Sequence, residues 1–216
     1  KDNTADWYPT DVTFNDLGHA TYTVNHKGEK VAKVELSIPG MHNVYNSLSA
    51  FALATCYGVD TDAIVKGIKN FTGTDRRFQF KGQFNGVNVI DDYAHHPTEI
   101  QATINSARGT KLNKLWIMFQ PHTYTRTYNH LDDFAKVLSE ADHVILLDIY
   151  ASREKDTGLV SSKDLRDKIE ALGGVVTYCP TFNDAEKYAV DNCRKGDMLI
   201  TMGAGDVYKI GEKLVQ

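Results

Sequence analysis

Residues 89–100, Val-Ile-Asp-Asp-Tyr-Ala-His-His-Pro-Thr-Glu-Ile, gather several groups that exchange protons or bind charge. The carboxylates and imidazoles belong to Asp91, Asp92, His95, His96 and Glu99. The apolar residues before them predict a strand, and Pro97 is typical of the first turn of a helix. Such strand-to-helix junctions form the ligand-binding edge of open α/β sheets, and titratable groups cluster at functional sites. The segment is therefore a candidate site, although Asp92 or His96 taken alone could simply cap the helix.

A second polar segment follows the apolar run at residues 115–119. His122 and Arg126 lie four residues apart there, in what we predict to be a polar loop after a strand. Arginine binds a carboxylate or phosphate through two parallel hydrogen bonds, and histidine can add a third. The spacing indicates an anion-binding pair, with an ordinary surface loop as the alternative.

The segment Met-Gly-Ala-Gly-Asp at residues 202–206 follows another predicted strand. Two glycines before a helix could present backbone N–H groups to an anion. The third glycine of a dinucleotide-binding loop is missing, so a tight turn that lets strand and helix pack closely is the favoured interpretation.

The start of the first predicted helix carries His42, Asn43 and Asn46. We predict that Asn43 is the N-cap. His42 and Asn46 would then offer hydrogen-bond donors and acceptors at that end of the helix, as a purine base requires.

The predicted elements indicate an α/β fold in two parts. Short strands at residues 11–14, 20–24 and 30–36 precede helices at 43–57 and 62–71, with Thr61 as a possible cap of the second helix. Residues 72–75, Thr-Gly-Thr-Asp, are the best candidate for a linker. After it, strands alternate with helices, which predicts a mainly parallel, Rossmann-like sheet with helices on both faces.

Composition excludes several classes of function. A formal charge of −4 and a pI of about 6.1 argue against a nucleic-acid-binding protein, because no run of Lys and Arg offers a surface for phosphates. No apolar run is long enough for membrane insertion. The three cysteines show no Cys-x-x-Cys spacing, so we expect free thiols in a reducing cytoplasm and no metal site.

Five motifs in order resemble the Mur ligases. They are Gly-x-His-Asn-x-x-Asn at residues 40–46, Arg-Arg-Phe at 76–78, Asp-Asp-Tyr-Ala-His-His-Pro-Thr-Glu at 91–99, Phe-Gln-Pro-His at 119–122 with Arg126, and Met-Gly-Ala-Gly-Asp at 202–206. Within the family, the motifs look like the branch that joins L-alanine to UDP-N-acetylmuramate. Glu99 and Phe-Gln-Pro-His favour that branch over the ligase that attaches a whole tripeptide in murein recycling.

The resemblance implies that residues 1–75 are the C-terminal part of a central ATP-binding domain. Residues 76–216 would be a C-terminal Rossmann-like domain that binds the amino acid. The sequence contains no Gly-x-x-x-x-Gly-Lys-Thr/Ser, the loop that holds ATP phosphates. The magnesium ligands of the family are also expected upstream, and the chain starts with Lys1 rather than Met. We therefore expect this chain alone to be inactive, and a nucleotide-binding module without catalysis is a further alternative.

The reaction implied is an ADP-forming ligation through an acyl phosphate, with ATP and magnesium as cofactors. By resemblance, the residues that hold the nucleotide are His42, Asn43, Asn46, Arg76 and Arg77. The alternative for Arg76 and Arg77 is an ordinary solvated pair, since arginine is usually exposed. The catalytic cleft would be lined by Asp92, His95, His96, His122 and Arg126. Some members of the family carry arginine at the position of Thr123, so carboxylate binding here would depend more heavily on Arg126.

Overall fold

The first part of the chain folds as an antiparallel sheet with two helices. A computed structural model describes residues 5–216. The strands, in the order β1-β2-β3, are β1 (Trp7–Phe14), β2 (His19–His26) and β3 (Glu29–Pro39). The helices are α1 (Met41–Cys56) and α2 (Thr61–Asn70). These elements confirm the strands and helices predicted before the linker.

Alternation along β2 positions the core of this unit. Ala20, Tyr22 and Val24 are fully buried, because every second side chain of a strand faces the same side of the sheet. Val44 and Phe51 of α1 belong to the same apolar cluster. The face of α1 that carries Val44 and Phe51 is therefore the face that packs against the sheet.

Two predicted helix caps were wrong. The N-cap of α1 is Gly40, with φ of 100°, while Asn43 lies inside the helix and donates its Nδ2 to the Pro39 carbonyl at 2.8 Å. Glycine takes this position because its backbone adopts positive φ without steric cost. The N-cap of α2 is Asp60 rather than Thr61, since the Asp60 carboxylate accepts hydrogen bonds from two backbone N–H groups of the first turn.

The second part of the chain is a six-stranded sheet with helices on both faces. The strand order is β4-β5-β9-β6-β7-β8, from β4 (Gln79–Phe84), β5 (Val87–Asp92), β6 (Leu115–Phe119), β7 (His143–Leu146), β8 (Val176–Tyr178) and β9 (Met198–Met202). All neighbouring strands are parallel except the β4–β5 hairpin. The predicted mainly parallel α/β fold is confirmed.

Six helices accompany this sheet in the described chain. They are α3 (Pro97–Arg108), α4 (Tyr124–Asn129), α5 (Leu131–Leu138), α6 (Ser162–Ala171), α7 (Phe182–Asn192) and α8 (Tyr208–Leu214). One apolar cluster joins the sheet to α3, α5 and α6, and another joins it to α7 and α8. Because both faces are covered, β6 is apolar and buried at every position.

The parallel strands end in register. Asp92 of β5 and Phe119 of β6 both pair with Met202 of β9, and Phe119 also pairs with Leu146 of β7. The loops that follow these four strands therefore emerge at one edge of the sheet. That edge is where open α/β sheets bind ligands.

The chain divides into two compact units between Gly73 and Thr74, inside the segment predicted as a linker; residues 109–111 group with the first unit. No helix within residues 5–216 combines the length and apolar character needed to cross a membrane. The cysteines are free thiols, with Cys56 exposed and Cys179 and Cys193 buried.

Candidate functional site

Asp91 and Arg76 form an ion pair at the end of β5 in which the carboxylate is buried and the arginine is partly buried. Arg76 Nε donates to Asp91 Oδ2 at 2.9 Å, and Thr201 Oγ1 of β9 donates to Asp91 Oδ1 at 2.8 Å. Arg76 Nη2 also donates to the Gly203 carbonyl at 2.7 Å. The Asp91 side chain is only 1% exposed. This pair connects the segment before β4 to two strand ends, so its evident role is to hold them together.

The adjacent arginines have different surroundings. The Arg76 guanidinium also contacts two aromatic rings, 4.9 Å from the centre of Tyr93 and 4.5 Å from that of Tyr208. Arg77 has a side chain that is 55% exposed, and its nearest carboxylate is Glu99 at 4.0 Å. Of the two arginines predicted to bind the nucleotide, Arg77 has the more exposed side chain, 55% against 22% for Arg76.

Asp92 holds the loop that follows β5. Its carboxylate is buried and accepts hydrogen bonds from the backbone N–H groups of Phe78 at 2.9 Å and Ala94 at 2.8 Å. Burial raises the pKa of Asp92, against the opposing effect of these hydrogen bonds. Asp92 lies at the carboxyl edge of the sheet, as predicted, but its carboxylate contacts backbone N–H groups rather than solvent.

His95 is fixed by the same loop and by the start of α3. Its Nδ1 lies 2.9 Å from the Tyr93 carbonyl, which can only accept, so Nδ1 carries the proton and Nε2 can act as an acceptor. The His95 backbone N–H donates to Glu99 at 3.1 Å. Burial opposes ionisation of Glu99, but this hydrogen bond and the charge of Arg77 together lower its pKa.

His122 and Arg126 lie together at the neighbouring strand end, as predicted. Arg126 Nη1 lies 3.2 Å from His122 Nδ1, and because arginine can only donate, Nδ1 accepts and Nε2 carries the proton. Burial lowers the pKa of His122, and the positive charge of Arg126 lowers it further. The rings of His95 and His122 are 6.0 Å apart. The edge therefore presents a cation and a neutral N–H donor beside a second imidazole.

The structure does not bring His96 into this group. Its Nδ1 accepts from the Thr98 backbone N–H at 3.3 Å, and its backbone carbonyl accepts from Glu99 and Ile100 in the first turn of α3. The ring lies 4.8 Å from that of His130, at a groove of about 540 Å³ between α3 and α5. His96 thus performs the capping role that was the alternative interpretation.

The residues predicted to hold adenine lie in the first unit. His42 and Asn46 are exposed and one turn apart on α1, so they share a face of the helix. Asn46 Nδ2 donates to Asn43 Oδ1 at 3.2 Å. An imidazole and an amide on one face offer the hydrogen-bond donors and acceptors that suit a purine base. Asn43 supports them through its hydrogen bond with Asn46.

The glycines after β9 permit a close approach of two loops. A Cβ on Gly203, whose φ is 142°, would lie 2.6 Å from the Gln120 carbonyl oxygen, and one on Gly205 would lie 2.5 Å from Gln120 Oε1. That geometry agrees with the predicted tight turn. Gln120 Oε1 is buried without a hydrogen-bond partner among the described residues.

Sequence reasoning missed the loop that follows β7. Tyr150 stacks on His122 with ring centres 5.6 Å apart, and Glu154 accepts from the Thr125 backbone N–H at 2.8 Å. The sequence did contain one indication that this loop belongs to the site, because the loop follows a parallel strand, as the other loops at this edge do. No group of three or more His, Cys, Asp or Glu within residues 5–216 could hold a metal ion.

The fold and the site define a mainly parallel α/β unit that carries the Arg126 cation and the His122 N–H donor at the carboxyl ends of its strands. Residues 76–205 match the family described as Mur ligase, glutamate ligase domain. The chain belongs to the Mur ligase family, as its motifs predicted.

Individual relatives agree with this assignment. The chain is 52% identical over 207 residues to UDP-N-acetylmuramate–L-alanine ligase of Lachnospira eligens, covering 96% of the chain and 45% of that protein. With the protein of the same name from Agathobacter rectalis it shares 50% identity over 215 residues, covering 100% of the chain and 47% of the relative. The chain spans about half the length of these relatives.

Solved structures show the same fold. The UDP-N-acetylmuramate-alanine ligase of Thermotoga maritima matches with a TM-score of 0.83 and 26% identity, over 99% of this chain and 46% of that one. A murein peptide ligase of Psychrobacter arcticus matches with a TM-score of 0.68 and 27% identity, over 99% of this chain and 44% of that one.

Proposed function

We propose that the protein containing this chain joins L-alanine to the carboxylate of UDP-N-acetylmuramate in an ATP-dependent, ADP-forming reaction of cytoplasmic peptidoglycan synthesis. The observation that carries the proposal is the pairing of Arg126 with a neutral His122 at the carboxyl edge of the sheet. The names of relatives at 50% and 52% identity support it.

The proposed role of His122 and Arg126 is to bind the carboxylate of L-alanine. Arg126 offers a positive charge and a forked set of donors, which match a carboxylate in geometry. His122 adds an N–H donor, Nε2, without adding charge. The positive charge of Arg126 then balances the negative charge of the substrate carboxylate. Thr123 carries no charge, so Arg126 is the cation next to His122 on α4.

His95 is the proposed partner of the amine. Its Nε2 is the acceptor atom of the ring, because Nδ1 donates to the Tyr93 carbonyl. An acceptor on the side of the amine can take the proton that nitrogen loses when it attacks a carbonyl carbon. Asp92 contributes by holding the backbone of Ala94, the residue before His95.

The base of the nucleotide is assigned to His42 and Asn46 of the first unit. ATP, when bound, supplies the phosphoryl group that activates the substrate carboxylate as an acyl phosphate. Magnesium ligands are not assigned to residues 5–216, which contain no suitable cluster. In this proposal the unit ending at Gly73 belongs to the ATP-binding domain, and the unit from Thr74 onward is the amino-acid domain.

The alternative reaction attaches a tripeptide instead of L-alanine. The murein peptide ligase of Psychrobacter arcticus has a similar fold, but its TM-score of 0.68 is below the 0.83 of the Thermotoga maritima alanine ligase. This difference favours L-alanine as the amino substrate.

The test is ADP release by the longer protein with ATP, magnesium and UDP-N-acetylmuramate. We expect release that depends on L-alanine. Release with only the tripeptide would assign the recycling reaction, and nucleotide binding without release under either condition would leave a non-catalytic module.

A further inference from the structure

The loop between β7 and α6, residues 147–161, contacts the His122 and Arg126 pair although the proposed function gives it no role. The Thr123 backbone N–H donates to the Tyr150 carbonyl at 2.9 Å, and the Tyr150 N–H donates to the Pro121 carbonyl at 2.8 Å. These bonds extend the parallel pairing of β6 and β7 beyond the sheet. The backbone that carries His122 is thus tied to this loop on one side.

The turn between His122 and Arg126 is strained at Thr123. Its φ of 67° and ψ of 144° lie outside the regions that β-branched residues ordinarily adopt. Such a conformation persists only where surrounding contacts impose it. Inside the turn, Thr123 Oγ1 accepts from the Arg126 N–H at 3.4 Å, and the Thr123 carbonyl accepts from Thr127 Oγ1 at 2.7 Å.

Besides the Tyr150 backbone, Glu154 supplies a side-chain contact from the same loop that holds this turn. Its Oε2 accepts from the Thr125 backbone N–H at 2.8 Å. That N–H belongs to the first turn of α4, where backbone donors have no partner inside the helix. Hydrogen bonds from Thr125, together with Tyr124 and Thr123, lower the pKa of Glu154, so the carboxylate is ionised at neutral pH.

We propose that Glu154 is a positioning residue that fixes the Thr123–Arg126 turn and thereby orients His122 and Arg126 toward the carboxylate of the amino-acid substrate. The proposal rests on the proposed function of these two residues. Glu154 does not touch the substrate in this role. Its carboxylate acts through the backbone of α4, at whose third residue Arg126 lies.

The first test measures steady-state kinetics of the longer protein with Glu154→Ala, Glu154→Gln and the control Glu170→Ala. Glu170 is an exposed acid on α6. We expect the KM for L-alanine to rise about tenfold in Glu154→Ala, the size of one lost hydrogen bond to a charged group. The values of kcat and of KM for ATP should stay within about twofold, because the proposal gives Glu154 no part in ATP binding or in the chemical step.

Glu154→Gln should recover most of the affinity, because its amide oxygen still accepts from the Thr125 N–H. Glu170→Ala should match the wild type. An unchanged KM for L-alanine in Glu154→Ala would overturn the proposal. Equal losses for all three substrates would also overturn it, since they indicate a general loss of structure.

A second measurement does not depend on activity. In NMR spectra of the 216-residue chain, we expect the Thr125 amide and the Arg126 Nε–H resonances to shift in Glu154→Ala but not in Glu170→Ala. If they shift while wild-type ligase is inactive with L-alanine, the proposed substrate is wrong and the positioning of Arg126 stands. If they do not shift, the positioning role is overturned whatever the activity.

Discussion

Arg76 and Arg77 show how two identical neighbouring residues acquire different roles. Arg76 adopts a positive φ of 60°, which turns its side chain toward Asp91 and Gly203. Arg77 remains exposed beside Glu99. The sequence predicted an arginine pair, but it could not separate the two, because the partners of Arg76 lie 15 and 127 positions away.

Replacing these arginines should therefore have unequal effects on stability. Arg76→Ala leaves the Asp91 carboxylate buried with its cation removed, so we expect the free energy of unfolding to fall by about 3 kcal/mol. Arg77→Ala is the matched control and should change it by less than about 0.5 kcal/mol. Urea denaturation of the two variants measures the difference, and equal effects would contradict the assignment of Arg76 to the structure.

Strand β7 shows how an element can carry a titrating group at the end opposite the site. His143 stacks on Trp116 with ring centres 4.4 Å apart, and its Nε2 lies 3.0 Å from Thr177 Oγ1 of β8. Burial lowers the pKa of His143 from its ordinary value of 6.5, and the charge of Lys114 lowers it further. The folded chain therefore favours the neutral ring.

This shift predicts a pH dependence of stability. Between the lowered pKa and 6.5 the unfolded chain binds more protons at His143 than the folded chain does. The stability gained from a neutral His143 is therefore fully present above pH 6.5. It is lost as the pH falls from 6.5 through the lowered pKa of the folded chain. Unfolding free energies at pH 7.5 and 5.5 should differ less in His143→Gln than in the wild type, and an equal difference would refute the role of His143.

The turn from β9 to α8 depends on glycine for a steric reason. Gly203→Ala would place a Cβ 2.6 Å from backbone oxygen at a φ of 142°, so we expect a loss of about 3 kcal/mol. Gly158 also has a positive φ, 71°, but a Cβ there meets nothing within 4 Å. Gly158→Ala should lower the free energy of unfolding by only about 1 kcal/mol. Both variants share the strain of a positive φ, but only Gly203→Ala adds a steric clash, so comparing their thermal unfolding separates the two effects.

Two elements were missed for identifiable reasons. Strand β4, Gln-Phe-Lys-Gly-Gln-Phe, is an edge strand without a clear apolar alternation. Its hairpin was still signalled by Asn85-Gly86, both with positive φ, a dipeptide that favours two-residue turns. Helix α4, Tyr-Thr-Arg-Thr-Tyr-Asn, is short and polar, and it depends on contacts with residues 147–161 that no local pattern reveals.

At the scale of the whole molecule, the apolar runs and the strand–helix rhythm sufficed to predict the mainly parallel sheet. The motifs sufficed to predict the family, and they placed His95, His122 and Arg126 at one edge. They did not reveal that His96 faces the α3–α5 groove or that Tyr150 stacks on His122. Those arrangements depend on how separate loops pack, which local sequence does not determine.

The 216-residue chain by itself should not hydrolyse ATP, since its sequence contains no phosphate-gripping loop. A coupled assay of ADP release with purified chain, ATP and magnesium tests this expectation. Hydrolysis that follows the chain through purification would contradict it and would require a different phosphate site within these residues.

The central claim is that His122 and Arg126 bind the carboxylate of L-alanine, and the direct test is the KM for L-alanine of Arg126→Ala in the longer protein. The control is Arg194→Ala, because the Arg194 guanidinium donates to the backbone carbonyls of Asp191 and Cys193 near the end of α7. We expect a KM raised by at least about tenfold in Arg126→Ala, the effect of losing a charged hydrogen-bond donor, and unchanged in Arg194→Ala. A KM for L-alanine that stays at the wild-type value in Arg126→Ala would contradict the account.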